Sequence, residues 1–383
     1  MPGYSWDPYS GVLLPKCCDD ACSYAYDPGS GEQFVAECDP TILPGYVPNP
    51  GQCVCSDVVP PPLPPPPTGL FADPGVDTNT LLWSPNGLGD AFNVYRSTTP
   101  GGPYTFLADA GGGFTAFYVD STAVGGTTYY YVVTKVVDGV ESLPTNEADA
   151  ATQTEWDGVV QQLLQWNPDL IISAEGLPGV LGTPIVSIVN RGIAGGTMGQ
   201  TNAARQPTLV PAGLNGHPTM RFDGVDDLLQ MPLAGLTSIA AITVFKRSGV
   251  NTNTRIATVL TGLNGSDATA VSPIPHFFNA DTLGSHYAGA GPVGFPIADT
   301  NFHSAISYLD GAGNGFIRLD ASAYNSAPLC LQTADPNVYA ALGGTGGGLS
   351  LLGEIAAHVR WKTAPTPTNL NNAWIQLRNY YGL

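Results

Sequence analysis

The last two thirds of the chain alternate between short apolar runs and small or turn-forming residues. The runs read IVSIVN, PTMRF, LLQM, IAAITVFKR, RIATVL, HFFNA, FHSAISYLD, GFIRLD, VYAALG and LLGEIAAHVRW, with Gly, Asn, Pro and Asp between them. Many short β-type runs divided by turn signals predict a large two-sheet sandwich over residues 154–383. Two stretches break the pattern. After TEWDG, Val159, Val160, Leu163 and Leu164 form a short amphipathic turn leading into a strand at Leu170–Ala174. At the end, Leu370, Ala373, Trp374, Leu377 and Tyr381 recur at helical spacing, which predicts a terminal helix docked through one apolar face.

Residues 68–153 carry a smaller set of period-2 strands. Phe92, Val94 and Arg96 alternate with Asn93, Tyr95 and Ser97; Tyr129, Tyr131 and Val133 alternate with Tyr130, Val132 and Thr134. Gly, Pro and Asp turns separate them, as in a small antiparallel sandwich. Residues 60–67 read PPPLPPPP, a polyproline II run that acts as a stiff spacer about 25 Å long at about 3.1 Å per residue. A Pro-rich recognition motif is the other reading of such a run.

Residues 1–59 hold six of the seven cysteines: Cys17, Cys18, Cys22, Cys38, Cys53 and Cys55. A segment with so little apolar mass needs staples, and an even number of cysteines suits disulfides, of unspecified pairing. Zinc is a weaker reading, because the segment has no C-x-x-C pair and no histidine. Reduced thiols packed as small hydrophobes remain open.

Charge narrows the partners. The 383 residues have a net charge of −18, from 13 Lys and Arg against 31 Asp and Glu, and only 11% are charged, under half the usual share of about 25%. Nucleic acid and anionic membrane surfaces are disfavoured as partners. No apolar stretch is long enough to span a bilayer, and MPGYSWDPYSGVLLPKCC lacks the basic patch and apolar core of a secretory signal. Extracellular-looking modules without a visible export signal fit proteins made in a host cytoplasm and released by lysis.

Residues 68–153 resemble the fibronectin type III family. The resemblance rests on Trp83 in LLWSP, the V-Y-R-S strand, the T-x-Y-x-Y-x-V strand and the closing G-V-E-S-x-P-T. It implies scaffold residues only, with Tyr129 as the corner tyrosine that pins a loop. Residues 154–383 resemble the concanavalin-like (laminin-G-like) jelly-roll domains at the ends of phage and bacterial surface proteins. Here the resemblance rests on WNPDLIISAEG, VSIVNRGIAGG, GEIAAHVRW and above all N-G-x-P-x-x-R-F-D-G-x-D-D-x-L from Asn215 to Leu228. Ile172 stands where an aromatic residue is common, which weakens any ligand site implied by the resemblance.

A glycosidase of that fold needs two carboxyl groups about 5–5.5 Å apart. The third module has three glutamates, Glu155, Glu175 and Glu354, none with an acidic partner two to four residues away on an inner strand, apart from Glu155 with Asp157 ahead of the sandwich; Glu354 is expected to face solvent or pair with Arg360. The five histidines (His217, His276, His286, His303 and His358) are scattered, no nucleophile elbow is present, and Gly343–Gly348 lacks the ending of a phosphate loop. Cys330 stands alone and is expected to be buried. Asp223, Asp226 and Asp227 in FDGVDD put three carboxylates in one turn and are a calcium candidate. Against that, Asp223 capping the turn at Gly224, with the other two solvated, is the commoner use of such residues. Loops at Asn251–Thr254, Asn264–Asp267 and Phe277–Tyr287 have a glycan-binding composition shared by many loops.

The expectation is therefore a mainly β chain: a Cys-rich anchor (1–59), a polyproline linker (60–67), a fibronectin type III-like sandwich (68–153) and a concanavalin-like jelly roll with a C-terminal helix (154–383). The resemblances imply a non-enzymatic protein of a tailed-phage virion surface, a capsid decoration or head fibre. It would bind capsid or other virion proteins through residues 1–59, form homo-oligomers, and display a sandwich able to touch host glycans. No cofactor is expected apart from the calcium candidate. A tail-fibre or baseplate receptor-binding protein, a secreted glycan-active enzyme and a bacterial adhesin are the alternatives.

Overall fold

The computed structural model describes residues 4–7, 12–15, 24–26, 33–35 and 62–383, apart from 234–239, 250–253, 261–273, 280–281, 287–292, 311, 328–338 and 346–348. The chain is mainly β and divides into two compact units, Met1–Glu155 and Trp156–Leu383. Within residues 1–59 two hairpins are described: β1 (Tyr4–Asp7) pairs with β2 (Val12–Pro15), and β3 (Tyr24–Tyr26) with β4 (Gln33–Val35). All six candidate disulfide cysteines, and Cys330, lie outside the described residues.

Eight strands follow: β5 (Thr68–Gly75), β6 (Thr78–Ser84), β7 (Ala91–Ser97), β8 (Thr105–Asp109), β9 (Phe117–Asp120), β10 (Thr128–Val137), β11 (Val140–Glu141) and β12 (Ala148–Ala151). One sheet has the order β5-β6-β9. The other runs β8-β7-β10, and β11 and β12 pair with successive parts of β10. A sheet of the first, second and fifth strands facing one of the third, fourth, sixth and last is the fibronectin type III-like arrangement. Its core is formed by the inward positions of each strand: Leu70, Leu81, Trp83, Phe92, Val94, Tyr129, Tyr131 and Val133. The end of the proline run lies on this module, because Pro64 and Pro67 are buried. Three residues make one polyproline II turn, so these two share a face. Asn86 Nδ2 fixes the run by donating to the Pro66 carbonyl at 3.1 Å. The last residues of the run are therefore tied to the module at Pro66.

The second unit opens with α1 (Glu155–Leu164), followed by β13 (Leu170–Ser173), β14 (Ser187–Val189), β15 (Thr197–Gly199), β16 (Thr208–Leu214), β17 (His217–Asp223), β18 (Leu229–Pro232), β19 (Ala240–Arg247), β20 (Thr254–Leu260) and β21 (Ile274–Asn279). It continues through β22 (Thr282–His286), β23 (Val293–Pro296), β24 (Phe302–Leu309), β25 (Gly315–Leu319), β26 (Asn325–Ala327), β27 (Tyr339–Leu342) and β28 (Leu352–Trp361) to α2 (Pro367–Tyr381). Two eight-stranded sheets result. One has the order β16-β17-β28-β19-β24-β25-β26 with β13 also on β28, and the other β14-β15-β18-β27-β20-β21-β22-β23.

The first of these sheets is buried on both faces. Leu170, Ile172, Phe222, Phe245 and Ile355 meet Ile256 and Leu342 between the sheets. Ile171, Ile242, Val244, Val359 and Trp361 face the other way and pack under Trp156, Val160 and Leu163 of α1 and under α2. This is why IAAITVF and LLGEIAAHVRW carry apolar residues on both faces, apart from the buried Thr243, Glu354, His358 and Arg360, since strands covered on both sides need no solvent-facing side. The buried face of α2 is Leu370, Ala373, Trp374, Leu377 and Tyr381, the five residues expected from spacing. Thr366 caps its start through a hydrogen bond from the Asn369 amide, and Gly382 ends it in the left-handed region at φ 66.

Candidate functional site

The surface feature that stands out is apolar. Of the five phenylalanines of the fibronectin-like module only Phe92 is buried; Phe71 (58%), Phe106 (58%), Phe114 (68%) and Phe117 (61%) are exposed. Two of these lie on one sheet, on either side of Leu82. Phe71 on β5 pairs directly with Leu82 on β6, and Leu82 with Phe117 on β9. Partners across antiparallel strands project to the same side, so the three form a row across all three strands, on the face opposite Leu70, Ala72 and Leu81. Val119, opposite Thr80, lies in the next row. Leu82 and Val119 are 46% and 43% exposed. Together the four side chains offer on the order of 400 Å² of apolar surface, the size at which patches on monomers tend to be contact sites. The module also carries a shallow depression of about 260 Å³ lined by Arg96, Ser97, Thr98, Thr99, Pro103, Thr105 and Tyr129.

The polar groups, by contrast, are closed on one another. In the same module Asp120 is fully buried and accepts hydrogen bonds from Arg96 Nη1 (2.7 Å), Tyr131 Oη (2.8 Å) and Thr122 Oγ1 (2.7 Å). Burial pushes its carboxyl up, but these donors outweigh burial and hold it below the usual carboxylate range. Asn79 Nδ2 donates in turn to Tyr131 at 2.8 Å. The tyrosine whose hydroxyl ties strands together is thus Tyr131 and not Tyr129, whose ring instead lies under the Arg96 guanidinium at 4.5 Å. Tyr131 is the one whose hydroxyl reaches across the core to the end of β9.

In the second unit Glu354 is buried and points neither to solvent nor to Arg360. It accepts from Thr219 Oγ1 (2.6 Å), Arg221 Nη2 (2.9 Å) and Lys246 Nζ (3.1 Å). The cause is its place in the middle strand β28, flanked by Arg221 on β17 and Lys246 on β19. Burial raises its pKa, and the donors more than reverse that. Glu175, the other carboxylate of the enzyme alternative, is bound to His217 Nδ1 at 3.1 Å, and the Tyr380 ring lies tilted against His217 with its centroid 4.3 Å away. Burial raises the Glu175 pKa. The two glutamates have separate partners and form no dyad. His303 is clamped between Asp320 (2.8 Å) and Asp299 (2.9 Å), and the Asp320 hydrogen bond in particular raises its pKa.

The calcium candidate is not assembled as a ligand set. Asp227 Oδ2 accepts the Asp223 amide at 2.8 Å, Asp223 Oδ1 accepts the amides of Val225 and Asp226, and Asp226 pairs with Arg205 at 3.2 Å. The carboxylate oxygens that a cation would need hold the turn instead. Asp227 is buried rather than solvated, and burial lifts it to about 6. Among the described residues no group of three or more His, Cys, Asp or Glu could hold a metal ion.

Pattern reading missed one cluster altogether. Thr243 Oγ1 lies 2.7 Å from His276 Nδ1 and 2.9 Å from His358 Nδ1, all three residues fully buried between the sheets. His276 and His358 are 82 positions apart, and only the pairing of β19 with β28 and the facing of β21 bring them together. Burial lowers both, His276 to about 3, and the Arg360 charge adds to the effect on His358. Ile172, at the position of the expected ligand aromatic, is also between the sheets and touches no outer surface. The loops Asn251–Thr254 and Asn264–Asp267 lie outside the described residues apart from Thr254, and Phe277–Tyr287 is described only in part.

The fibronectin type III-like module has similar solved structures. A Fn3-like protein from Clostridium thermocellum is 40% identical over 23% of this chain and 92% of that one, with a TM-score of 0.21. The crystal structure of FN3tt is 21% identical over 24% of this chain and 98% of that one, with a TM-score of 0.20. A β-1,2-glucanase from Parabacteroides distasonis is 24% identical over 28% of this chain but only 17% of its own, with a TM-score of 0.22. No protein-family model matches the sequence, and no curated protein is similar to it.

Proposed function

We propose that this chain is a non-enzymatic structural protein of a tailed-phage virion, a capsid decoration or head fibre, in which the first unit makes attachments and the terminal sandwich is displayed. The observation that carries this reading is the row Phe71–Leu82–Phe117 on an open sheet face. Large apolar side chains on a chain this acidic mark a surface made for contact. The row is too small to act alone. Two copies stacked through it would bury about 800 Å², short of the roughly 1,200 Å² of specific stable interfaces. A second attachment through residues 1–59 supplies the rest of the grip by raising the effective concentration of the row. The closed polar clusters of the sandwich support a passive role, because every carboxylate described above already serves a neighbour.

The test is a virion preparation. The chain should be found on particles, and a Phe71→Ser/Phe117→Ser double variant should fold normally yet load onto particles at least tenfold less well. Labelled density at the tail tip instead of the head would move the proposal to a receptor-binding protein. Sugar release from a polysaccharide panel, lost in Glu175→Gln, would overturn it.

A further inference from the structure

The motif Asn215–Leu228 begins with Asn–Gly, and those two residues form the whole loop between β16 and β17: Leu214 pairs with His217, with φ of 50 at Asn215 and 91 at Gly216. Such a turn asks for this dipeptide. Asn215, however, also does something the turn does not need. Its side-chain Nδ2 donates to the Tyr381 carbonyl at 2.8 Å and the Gly382 carbonyl at 3.3 Å. The exposed hairpin tip thus holds the end of α2, whose own cap uses the Gly382 and Leu383 amides on Asn379 and Arg378 and leaves those two carbonyls unpaired.

We propose that Asn215 is a site of spontaneous covalent modification, a deamidation that undocks the C-terminal residues and cannot be reversed. Glycine at 216 leaves its amide nitrogen unhindered. That nitrogen attacks Cγ of Asn215, the Cγ–Nδ2 bond breaks, and Nδ2 departs as ammonia with the proton from the Gly216 amide. Water then opens the cyclic imide, giving aspartate or isoaspartate and restoring the Gly216 N–H. The overall change is loss of ammonia and gain of water. Attack requires the amide to turn, and the amide is fixed while it bridges two carbonyls. The reaction therefore waits for the last turn of α2 to open. Once made, the carboxylate has no proton to donate and faces two carbonyl oxygens, so the tail cannot return to its place.

Asn86–Gly87, in the first unit, is a built-in reference: the same dipeptide, exposed, with φ of 50 and 102, but with its side-chain amide on the Pro66 carbonyl. The experiment is ageing of the full-length chain at mildly alkaline pH, followed by tryptic mapping of residues 206–221 and of the peptide containing Asn86. Gly382→Ala weakens the left-handed cap, and its Cβ would stand 3.0 Å from Asn215 Nδ2. It should raise the deamidation rate at Asn215 about fivefold or more while leaving Asn86 unchanged. Asn215→Asp should speed hydrogen exchange of the amides of residues 379–383 relative to wild type. An unchanged rate at Asn215 in Gly382→Ala, or wild-type protection of 379–383 in Asn215→Asp, overturns the proposal.

Discussion

The two units differ in which of their large side chains they leave exposed and in how many ionisable groups they bury. The fibronectin-like module leaves four of its five phenylalanines in solvent and keeps a small core around Trp83, Phe92 and Tyr131. The sandwich draws in polar groups that usually stay outside: Glu354, His276, His358, Arg360 and Thr243 are all buried. A small two-sheet module has little interior, so its larger residues become available for contact. A sandwich covered on one side by helices has three layers, and strands that run through its middle must bury whatever they carry. Among the described residues the first unit exposes phenylalanines, whereas the most exposed large apolar residues of the second, such as Val180, Leu181, Ile193 and Val225, are aliphatic.

The sharpest way to break this contrast is acid. His276 and His358 have folded pKa values below the ordinary value of about 6.5. Unfolding therefore takes up protons below that pH, and the stability these rings provide is present above about 6.5 and lost as the pH falls towards their folded values. Each ring contributes up to about 1.4 kcal/mol per pH unit, so the pair should cost the sandwich up to about 4 kcal/mol between pH 6.5 and 5, offset in part by Asp227, Glu175 and His303, whose raised folded values favour the folded state as the pH falls. Urea unfolding followed by Trp156, Trp166, Trp361 and Trp374 measures it; a flat profile in this range would show that the pair is not enclosed. Next in size, Glu354→Ala leaves Thr219, Arg221 and Lys246 without their acceptor and should cost about 3 kcal/mol in the same assay. Tyr131→Phe removes a donor from buried Asp120 in the other unit and should cost about 2 kcal/mol, read from the Trp83 signal; Tyr129→Phe should cost much less. The smallest effect sharpens the contrast from the other side. Phe71→Ser should change the stability of its module by no more than about 0.5 kcal/mol, because an exposed side chain supports no core.

Periodicity was enough to place the elements. The five buried residues of α2 and the alternation of Phe92 with Val94 and of Tyr131 with Val133 follow from spacing alone, because a face that meets a core has a period. Partnerships were another matter. Glu354 was expected near Arg360, six positions away in sequence on the same strand, yet it meets Arg221 and Lys246 across strands. Only register settles such a contact, and register is not local. The same limit hid the Thr243 cluster, whose three members come from three separate strands. The aspartates of FDGVDD were visible as a group, but their composition could not distinguish oxygens free for a cation from oxygens already held by backbone amides. The exposed phenylalanines were missed for a simpler reason: a strand with apolar residues on both faces looks the same in sequence whether its second face is covered or open.

The Thr243 hydroxyl has a consequence for the two rings it joins. A hydroxyl carries one hydrogen, so it can donate to only one of the two Nδ1 atoms and must accept from the other. The neutral imidazoles are thus forced into opposite tautomers. Since His276 Nε2 has no partner among the described residues, and a bare lone pair is easier to bury than an unpaired N–H, the proton of His276 sits on Nδ1. His358 then holds its proton on Nε2, and two chemically identical side chains become inequivalent through a single shared atom.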